Sequence, residues 1–277
     1  MRSRWMCAAA VAAGLGGFAA GQVDNLEAQD PGSAEVDLAR DRLVDLSHAF
    51  DRRTIYWPTA QRFKLTKVAD GQTEGGWHYA ANNFRGAEHG GTHLDAPIHF
   101  SRTGNTADEV PLRRLAGPAV SVDVRAAAAA DPDHLISVAD LQAFEAANGR
   151  IAPKTIVLLR TGWSKFWPDA ARYLGTAERG EAAVAKLHFP GLSEEAARFL
   201  VDERDIRAVG IDTASIDRGQ STAYEAHRVL AAAQVPVLEN VARLGRVAAE
   251  GFQVIALPMK IRGGSGGPLR VMAVVGG

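Results

Sequence analysis

The sequence predicts a mixed α/β domain. Short apolar runs rich in Val, Ile and Leu alternate with segments of helical periodicity, and no internal repeat is present. The chain has 277 residues, of which 47% are hydrophobic, so it is long enough to bury one enzyme-sized core. Strands and helices interleave irregularly, which indicates a mixed sheet with flanking helices rather than a regular βα repeat.

The predicted strands are short and apolar. The run at 155–159 is continuously apolar after its first residue, which is typical of a strand buried on both faces. The run at 119–124 alternates instead, as expected for a strand with one buried face. In chain order, the predicted strands cover residues 43–46, 119–124, 155–159, 208–211, 235–238, 252–256 and 271–275.

Three helices are predicted between these strands. The first begins after Ser137, where the spacing to Asp140 indicates a capped start, and it ends at Gly149. The second begins after Ser193 and precedes the strand at 208–211. The third covers approximately residues 222–233 and precedes the strand at 235–238. The run at 263–268 has no Lys-Ser/Thr pair and precedes a strand, so it predicts a turn and not a phosphate-binding loop.

The N-terminus has the pattern of an export signal. Arg2 and Arg4 precede an apolar run, and small residues follow near position 20. We therefore expect a signal peptide at 1–21, a polar linker at 22–42, a domain at 43–277 and a periplasmic or secreted protein. The chain has one cysteine, Cys7, which would leave with the signal, and a cysteine-free mature chain suits an oxidising compartment.

Charge composition excludes several classes of partner. The chain has 31 basic and 32 acidic residues with no long run of either sign, so we expect neither nucleic acid nor a membrane surface as a partner. A small-molecule substrate is expected instead. Six aromatic residues between positions 56 and 84 either line a pocket for a flat substrate or pack in the core: Tyr56, Trp57, Phe63, Trp77, Tyr79 and Phe84.

A dense group of metal-ligand side chains occupies residues 89–99. His89, His93, Asp95 and His99 lie within eleven residues, and imidazole and carboxylate groups are ligands of zinc and manganese. The Gly-Gly pair after His89 and a proline at 97 favour a bent loop or strand edge. The helical zinc-binding motif of the zincins is excluded because the two glycines interrupt the helix that it requires. A cysteine-based zinc finger is excluded because the chain has only one cysteine.

A second, distant pair of candidate ligands is His227 and Glu239. His227 lies on the third predicted helix, and Glu239 ends the strand that follows it. Sites on α/β folds tend to form at the carboxyl ends of strands. Spacing alone is a weak argument for this pair.

The segment 89–99 resembles the HxGTHxDxPxH signature of the metal-dependent cyclase family, which includes kynurenine formamidases (arylformamidases) and isatin hydrolases. The resemblance extends over approximately residues 43–275. Further segments similar to family landmarks occur in the same order, at residues 45–48, 189–192, 210–215, 226–228, 238–240 and 257–260.

This resemblance implies a swivelling β/β/α fold and a homodimer or homotetramer. It implies that His89, His93 and Asp95 hold one metal, and that Asp95 bridges to a second metal held by His227 and Glu239. Both members of the second pair are present, which favours two ions per chain, with Zn²⁺ expected and Mn²⁺ as the alternative.

The resemblance further implies an amide hydrolase acting on C–N bonds other than peptide bonds. A divalent ion would activate a water molecule and polarise the carbonyl, while His99 would serve as general base and acid. The expected substrate is an aryl formamide or a cyclic amide. Two alternatives stay open: an exported isatin hydrolase-like or lactone-opening enzyme of the same fold, and an exported metal-binding protein without catalysis. The segment 165–188 is expected to be a lid or an oligomer contact.

Overall fold

A computed structural model describes residues 37–276, which form one unit of strands and short helices. The predicted signal peptide and most of the predicted linker lie outside the described residues. The strands within this range are β1 (Arg42–Asp45), β2 (Lys64–Gln72), β3 (His78–Arg85), β4 (His93–Asp95), β5 (Ala116–Asp123), β6 (Leu135–Ile136), β7 (Ile156–Arg160), β8 (Gly191–Leu192), β9 (Ala208–Ile211), β10 (Val237–Glu239), β11 (Phe252–Pro258) and β12 (Gly266–Val275).

One mixed sheet organises the fold and closes on itself. Its strand order is β1-β12-β11-β5-β7-β9-β10-β4, and β12 also pairs with β4. The centre of the sheet, β5-β7-β9-β10, is parallel, whereas the strands on either side pair antiparallel. Strand β12 pairs with β11 along most of its length and with β4 at its start, so this long strand closes the ring, and β1 pairs with its end.

The central strands are buried on both faces, as their apolar runs predict. In β7, Ile156 and Leu158 belong to the cluster inside the ring, whereas Val157 and Leu159 pack into a second cluster outside it. The alternation follows from the pleat, which turns successive side chains to opposite faces. Helices cover the outer cluster.

The helices are short, and those of α-type are α1 (Leu112–Leu115), α2 (Arg125–Ala130), α3 (Val138–Asn148), α4 (Ala170–Leu174), α5 (Glu181–Val184), α6 (Glu194–Arg198) and α7 (Glu225–Ala232). Ser137 and Asp140 form the capping box predicted for α3, and Gly149 follows its last residue. A π-helical turn, Phe199–Glu203, continues α6. No helix among the described residues has the length and apolar character needed to cross a membrane.

Two regions differ from the sequence prediction. Strands β2 and β3 form an exposed two-stranded hairpin that was not predicted. Its bulge between Lys67 and Ala69 and its exposed faces obscure the alternation that marks a half-buried strand. The second difference is at 266–268, predicted as a turn, where the chain already runs in β12 beside β4. The closing of the ring decides this, because it supplies pairing partners that a local pattern does not reveal.

The segment 165–188 packs against the body of the domain. It contains α4 and α5, and its Tyr173 and Leu187 are fully buried in a third apolar cluster with Ile55 and Phe189. The Arg179 side chain donates hydrogen bonds to two backbone carbonyls in the 57–60 loop. In this structure the segment is therefore part of the packed fold.

Candidate active site

The ligand-rich loop contains strand β4, which lies between β10 and β12. In this register His93 is opposite Glu239, and Asp95 is opposite Gly266. The loop bends at Gly91, whose φ of +60° is a left-handed conformation that glycine adopts without strain. Strand pairing thus brings Glu239 to the loop, although 146 residues separate it from His93 in the sequence.

The five predicted metal ligands form one cluster, with the carboxylate of Asp95 at its centre. Its Oδ1 lies 2.6 Å from Nδ1 of His89 and 3.1 Å from Nε2 of His93. Its Oδ2 lies 3.0 Å from Nε2 of His227. Glu239 completes the group, with Oε2 at 3.4 Å from Nε2 of His93 and Oε1 at 3.2 Å from Nε2 of His227. The two oxygens of Asp95 therefore face two different sets of side chains.

This donor set fits divalent metal ions. His93, Asp95, His227 and Glu239 are all at most 5% exposed. Nε2 of His93 is buried and has no hydrogen-bond partner, although two carboxylates lie nearby. Leaving a buried polar atom unpaired costs free energy, and a metal ion would remove that cost by taking the imidazole lone pair.

The protonation of the cluster reflects its opposing charges. Burial lowers the pKa of His93, but the carboxylates of Asp95 and Glu239 outweigh burial and raise this pKa to about 9. Burial raises the pKa of Asp95, but the neighbouring imidazoles reverse this effect and hold it well below its usual value. Burial and the charge of Asp95 together raise the pKa of Glu239.

Each of the three imidazoles in the cluster has a second ring nitrogen, which faces away from Asp95 and Glu239. These second nitrogens also have hydrogen-bond partners. Nδ1 of His93 donates to the carbonyl of Gly91 at 2.9 Å. Nδ1 of His227 lies 2.6 Å from Asp217 Oδ2, and the Asp217 carboxylate also accepts hydrogen bonds from the backbone N–H groups of Ala226 and His227. Asp217 thus accepts hydrogen bonds from the first turn of α7, which begins at Glu225 and not near 222 as the sequence pattern predicts. No sequence pattern marks Asp217, because it lies ten residues before His227 in an irregular stretch.

His89 is oriented by residues that the sequence analysis also missed. Its Nε2 lies 2.7 Å from Ser265 Oγ, and Ser265 Oγ lies 2.6 Å from Glu88 Oε2. Ser265 belongs to the glycine-rich run predicted only as a turn. A serine flanked on each side by two glycines is a signal of a close backbone approach that could have been noted in the sequence.

The segment 165–188 reaches the same site through Tyr173. Its hydroxyl is fully buried, 3.0 Å from Asn240 Oδ1 and 3.0 Å from the carbonyl of Asp212. Asn240 follows Glu239 directly and has a left-handed φ of 53°. The contact therefore supports the backbone that carries Glu239.

His99 lies at the edge of the cluster, where its ligand atom is within 4.8 Å of ligand atoms of both His89 and Asp95. It ends a 3₁₀ turn, Pro97–His99, and its ring stacks on His89 with centroids 3.8 Å apart. It is exposed to the cavity in front of the cluster. Desolvation lowers the pKa of His99 to about 4, and the neighbouring imidazoles add to this effect against the opposing charge of Asp95. The ring is therefore neutral at pH 7 and can accept a proton.

A cavity of about 280 Å³ opens in front of this group. Of the predicted aromatic cluster, Tyr56 and Trp57 line it, whereas Trp77, Tyr79 and Phe84 are exposed on the hairpin. The sequence analysis did not single out Phe100 and Tyr224, which lie 5.3 Å apart between ring centroids and complete the aromatic lining. His188 does not line the cavity and pairs with Asp133.

Comparisons with known proteins show which family this chain belongs to. The family model described as "Putative cyclase" matches residues 44–218. An isatin hydrolase of Roseibium aggregatum is 30% identical over 222 residues, covering 77% of this chain and 81% of that protein. A kynurenine formamidase of Salinibacter ruber is 29% identical, covering 83% and 96%. The crystal structure of an isatin hydrolase bound to the product analogue thioisatinate has a TM-score of 0.77 and 28% identity, covering 86% of this chain and 94% of that one.

Proposed function

Because this chain belongs to the cyclase family, whose relatives named above are hydrolases, we propose that it opens a flat cyclic amide fused to an aromatic ring, of the isatin class. The observation that carries the proposal is a cavity of about 280 Å³ lined by aromatic rings and by the buried His-carboxylate cluster. Flat faces of Tyr56, Trp57, Phe100 and Tyr224 suit an aromatic ring, and the cluster suits a divalent cofactor.

The cofactor of the proposed enzyme is a pair of divalent ions. His89, His93 and Asp95 would hold one ion, and His227, Glu239 and the second oxygen of Asp95 would hold the other. The contacts of Asp95 Oδ1 with His89 and His93 and of Oδ2 with His227 support this division, and Glu239 lies next to both His93 and His227. Imidazole with carboxylate is a donor set that zinc accepts readily, so Zn²⁺ is the proposed metal and Mn²⁺ the alternative.

The chemistry of the reaction divides between cofactor and protein. A bound divalent ion supplies a water molecule of lowered pKa and polarises the scissile carbonyl. His99 takes the proton as the water oxygen adds to the carbonyl carbon, and it returns a proton to the amide nitrogen as the C–N bond breaks. The products are a carboxylate and an arylamine on the same molecule. The aromatic lining holds the ring and excludes bulk water.

Electric charge in the cavity favours a neutral cyclic amide over a formylated amino acid. Among the described residues that line the cavity there is no Lys or Arg. N-formylkynurenine carries an amino-acid tail whose carboxylate would have no cationic side chain to pair with there. A simple aryl formamide lacks this tail and is the second candidate, supported by the similarity to kynurenine formamidases.

A substrate panel tests the proposal. Purified protein loaded with Zn²⁺ or Mn²⁺ is assayed with isatin, formanilide, N-formylkynurenine and a simple aryl lactone. We expect the highest kcat/KM with isatin and the lowest among the amides with N-formylkynurenine. If the lactone is the preferred substrate, the protein acts on an ester and not on an amide. If the metal-loaded protein turns over none of these compounds, it is a metal-binding protein without catalysis.

Metal binding is expected to strengthen as the pH rises from about 6.5 to about 9. His93 is protonated in the metal-free protein below its pKa of about 9, and a metal needs the neutral imidazole. Affinity should therefore rise about tenfold per pH unit for each proton released. The raised pKa of His93 also means that its protonation stabilises the metal-free fold. This contribution to the free energy of unfolding is complete below about pH 6.5 and is lost as the pH rises through about 9. Chelator competition at several pH values measures the affinity, and a flat profile would contradict the expectation.

The exposed hairpin supports the proposal of a homodimer or homotetramer. The hairpin pairs with no other strand among the described residues, and isolated hairpins are marginal in water. Its exposed apolar side chains are Leu65, Val68, Trp77, Tyr79 and Phe84. Light scattering gives the mass directly, and a monomer at working concentration would contradict this proposal.

We also propose that the protein is exported. The support is the positively charged start and the apolar run of the predicted signal peptide at 1–21. N-terminal sequencing of protein expressed with its leader should then begin near Gln22, and an uncleaved cytoplasmic chain would contradict export.

A further inference from the structure

The glycine-rich run at 263–267 contacts the proposed metal centre through one side chain. Ser265 Oγ lies between Nε2 of His89, at 2.7 Å, and Oε2 of Glu88, at 2.6 Å. The backbone N–H of Ser265 donates to the same Glu88 oxygen at 3.0 Å. Three groups from two distant parts of the chain therefore form a short chain of hydrogen bonds that ends on a carboxylate.

The direction of these hydrogen bonds follows from the chemistry of the groups. An ionised carboxylate can only accept, so the Ser265 hydroxyl donates its hydrogen to Glu88. The oxygen of that hydroxyl is then the acceptor for His89, which must donate from Nε2. A neutral imidazole with its hydrogen on Nε2 has its lone pair on Nδ1. This nitrogen faces Asp95, at 2.6 Å from Oδ1, and because the ionised Asp95 can also only accept, Nδ1 carries a hydrogen in the metal-free protein that a metal ion would displace.

The glycines allow this close approach. A Cβ on Gly266 would lie 2.3 Å from the carbonyl oxygen of Leu94 and 2.7 Å from Cε1 of His89. A Cβ on Gly264 would lie 2.8 Å from Oε1 of Glu88. The distances from a Cβ on Gly266 to Leu94 and to His89 are too short for any side chain. Only glycine at this position therefore allows β12 to place Ser265 next to the His89 imidazole.

We propose that Ser265 and Glu88 are positioning residues that fix the tautomer and ring plane of His89 for metal binding. The inference rests on the proposed metal centre. Partners of this kind make a histidine ligand more basic, and their loss typically lowers metal affinity about 10- to 100-fold. The same pair also holds the ring on which His99 stacks, at 3.8 Å between centroids.

The test compares Zn²⁺ affinities of the full-length protein by chelator competition, with Ser265→Ala and Glu88→Ala as separate variants. Each should weaken one of the two zinc equivalents about 10- to 100-fold and leave the other within about threefold of wild type. Visible spectra of the Co²⁺-loaded proteins should change for the same equivalent. Ser137→Ala is the matched control, because Ser137 also places a hydroxyl against a carboxylate, 2.8 Å from Asp140, but far from the metal centre.

The outcomes separate this inference from the proposed function. Wild-type affinity in both Ser265→Ala and Glu88→Ala would overturn the positioning role while the metal centre stands. Failure of the wild-type protein to bind any divalent ion would overturn both. Metal binding that depends on Ser265 and Glu88 in a protein that hydrolyses no amide would support the inference and contradict only the substrate. Thermal melting confirms that each variant is folded, and Glu88→Gln, which keeps the shape but removes the charge, should show an intermediate loss.

Discussion

Replacement of His99 by alanine is expected to lower kcat about 10²- to 10⁴-fold while metal content stays close to that of the wild type. In the proposed reaction His99 carries the proton from water to the amide nitrogen. Its low pKa of about 4 keeps the ring neutral at pH 7, so that a nitrogen lone pair is free. Its ring stacks on His89, and His99 is not one of the five proposed metal ligands. Steady-state kinetics beside elemental analysis measure both quantities on one preparation.

The chain offers a matched control for this variant. His188 is an exposed imidazole that pairs with Asp133 at 2.7 Å, outside the cavity. His188→Ala should retain wild-type kcat and metal content. Unchanged turnover in His99→Ala would exclude a general-base role, and loss of metal in that variant would instead make His99 a ligand.

Replacement of Asp95 by alanine is expected to remove metal and activity together. Asp95 contacts three imidazoles through two oxygens, so its loss leaves both proposed ion positions incomplete. The metal-free protein should also be less stable at neutral pH, because the buried charge of His93 then has only Glu239 as a partner. Elemental analysis, turnover and denaturant unfolding measure these effects.

Asp70 provides the comparison for Asp95, because it is a carboxylate on the exposed hairpin that pairs with Lys67. Asp70→Ala should change neither metal content nor turnover. Full metal content in Asp95→Ala would show that the ligand assignment is wrong. One ion per chain in the wild type after reconstitution with excess zinc or manganese would show that Asp95 does not bridge.

Local patterns in the sequence predicted the parts of the structure that short-range chemistry decides. The capping box of Ser137 and Asp140 and the buried character of β7 follow from residues close together in the chain. Likewise, the spacing of His89, His93 and Asp95 around a glycine bend places three donors near one point. Their agreement with the structure reflects constraints that act over a few residues.

Contacts between distant residues could not be predicted in the same way. Asp217, Ser265 and Glu88 contact histidines of the site only because particular loops and strands meet in the folded chain. Phe100 and Tyr224 likewise form one aromatic lining from two segments. A sequence pattern carries no distance between such positions, and without strand register their side chains give no signal beyond ordinary polar or aromatic residues.

The sequence by itself determined the family, the six candidate site residues and the mixed α/β class, because each depends on residue types at short spacing or on a distinctive motif. Only the tertiary structure decided how the six meet. Pairing of β4 with β10 places His93 against Glu239, and α7 brings His227 to the second oxygen of Asp95. It also decided that the cavity is lined by aromatic rings and, among the described residues, by no Lys or Arg, and this property favours a neutral ring over a charged amino-acid substrate. The physical reason is that burial and electrostatics depend on distances through space, which the closed sheet sets.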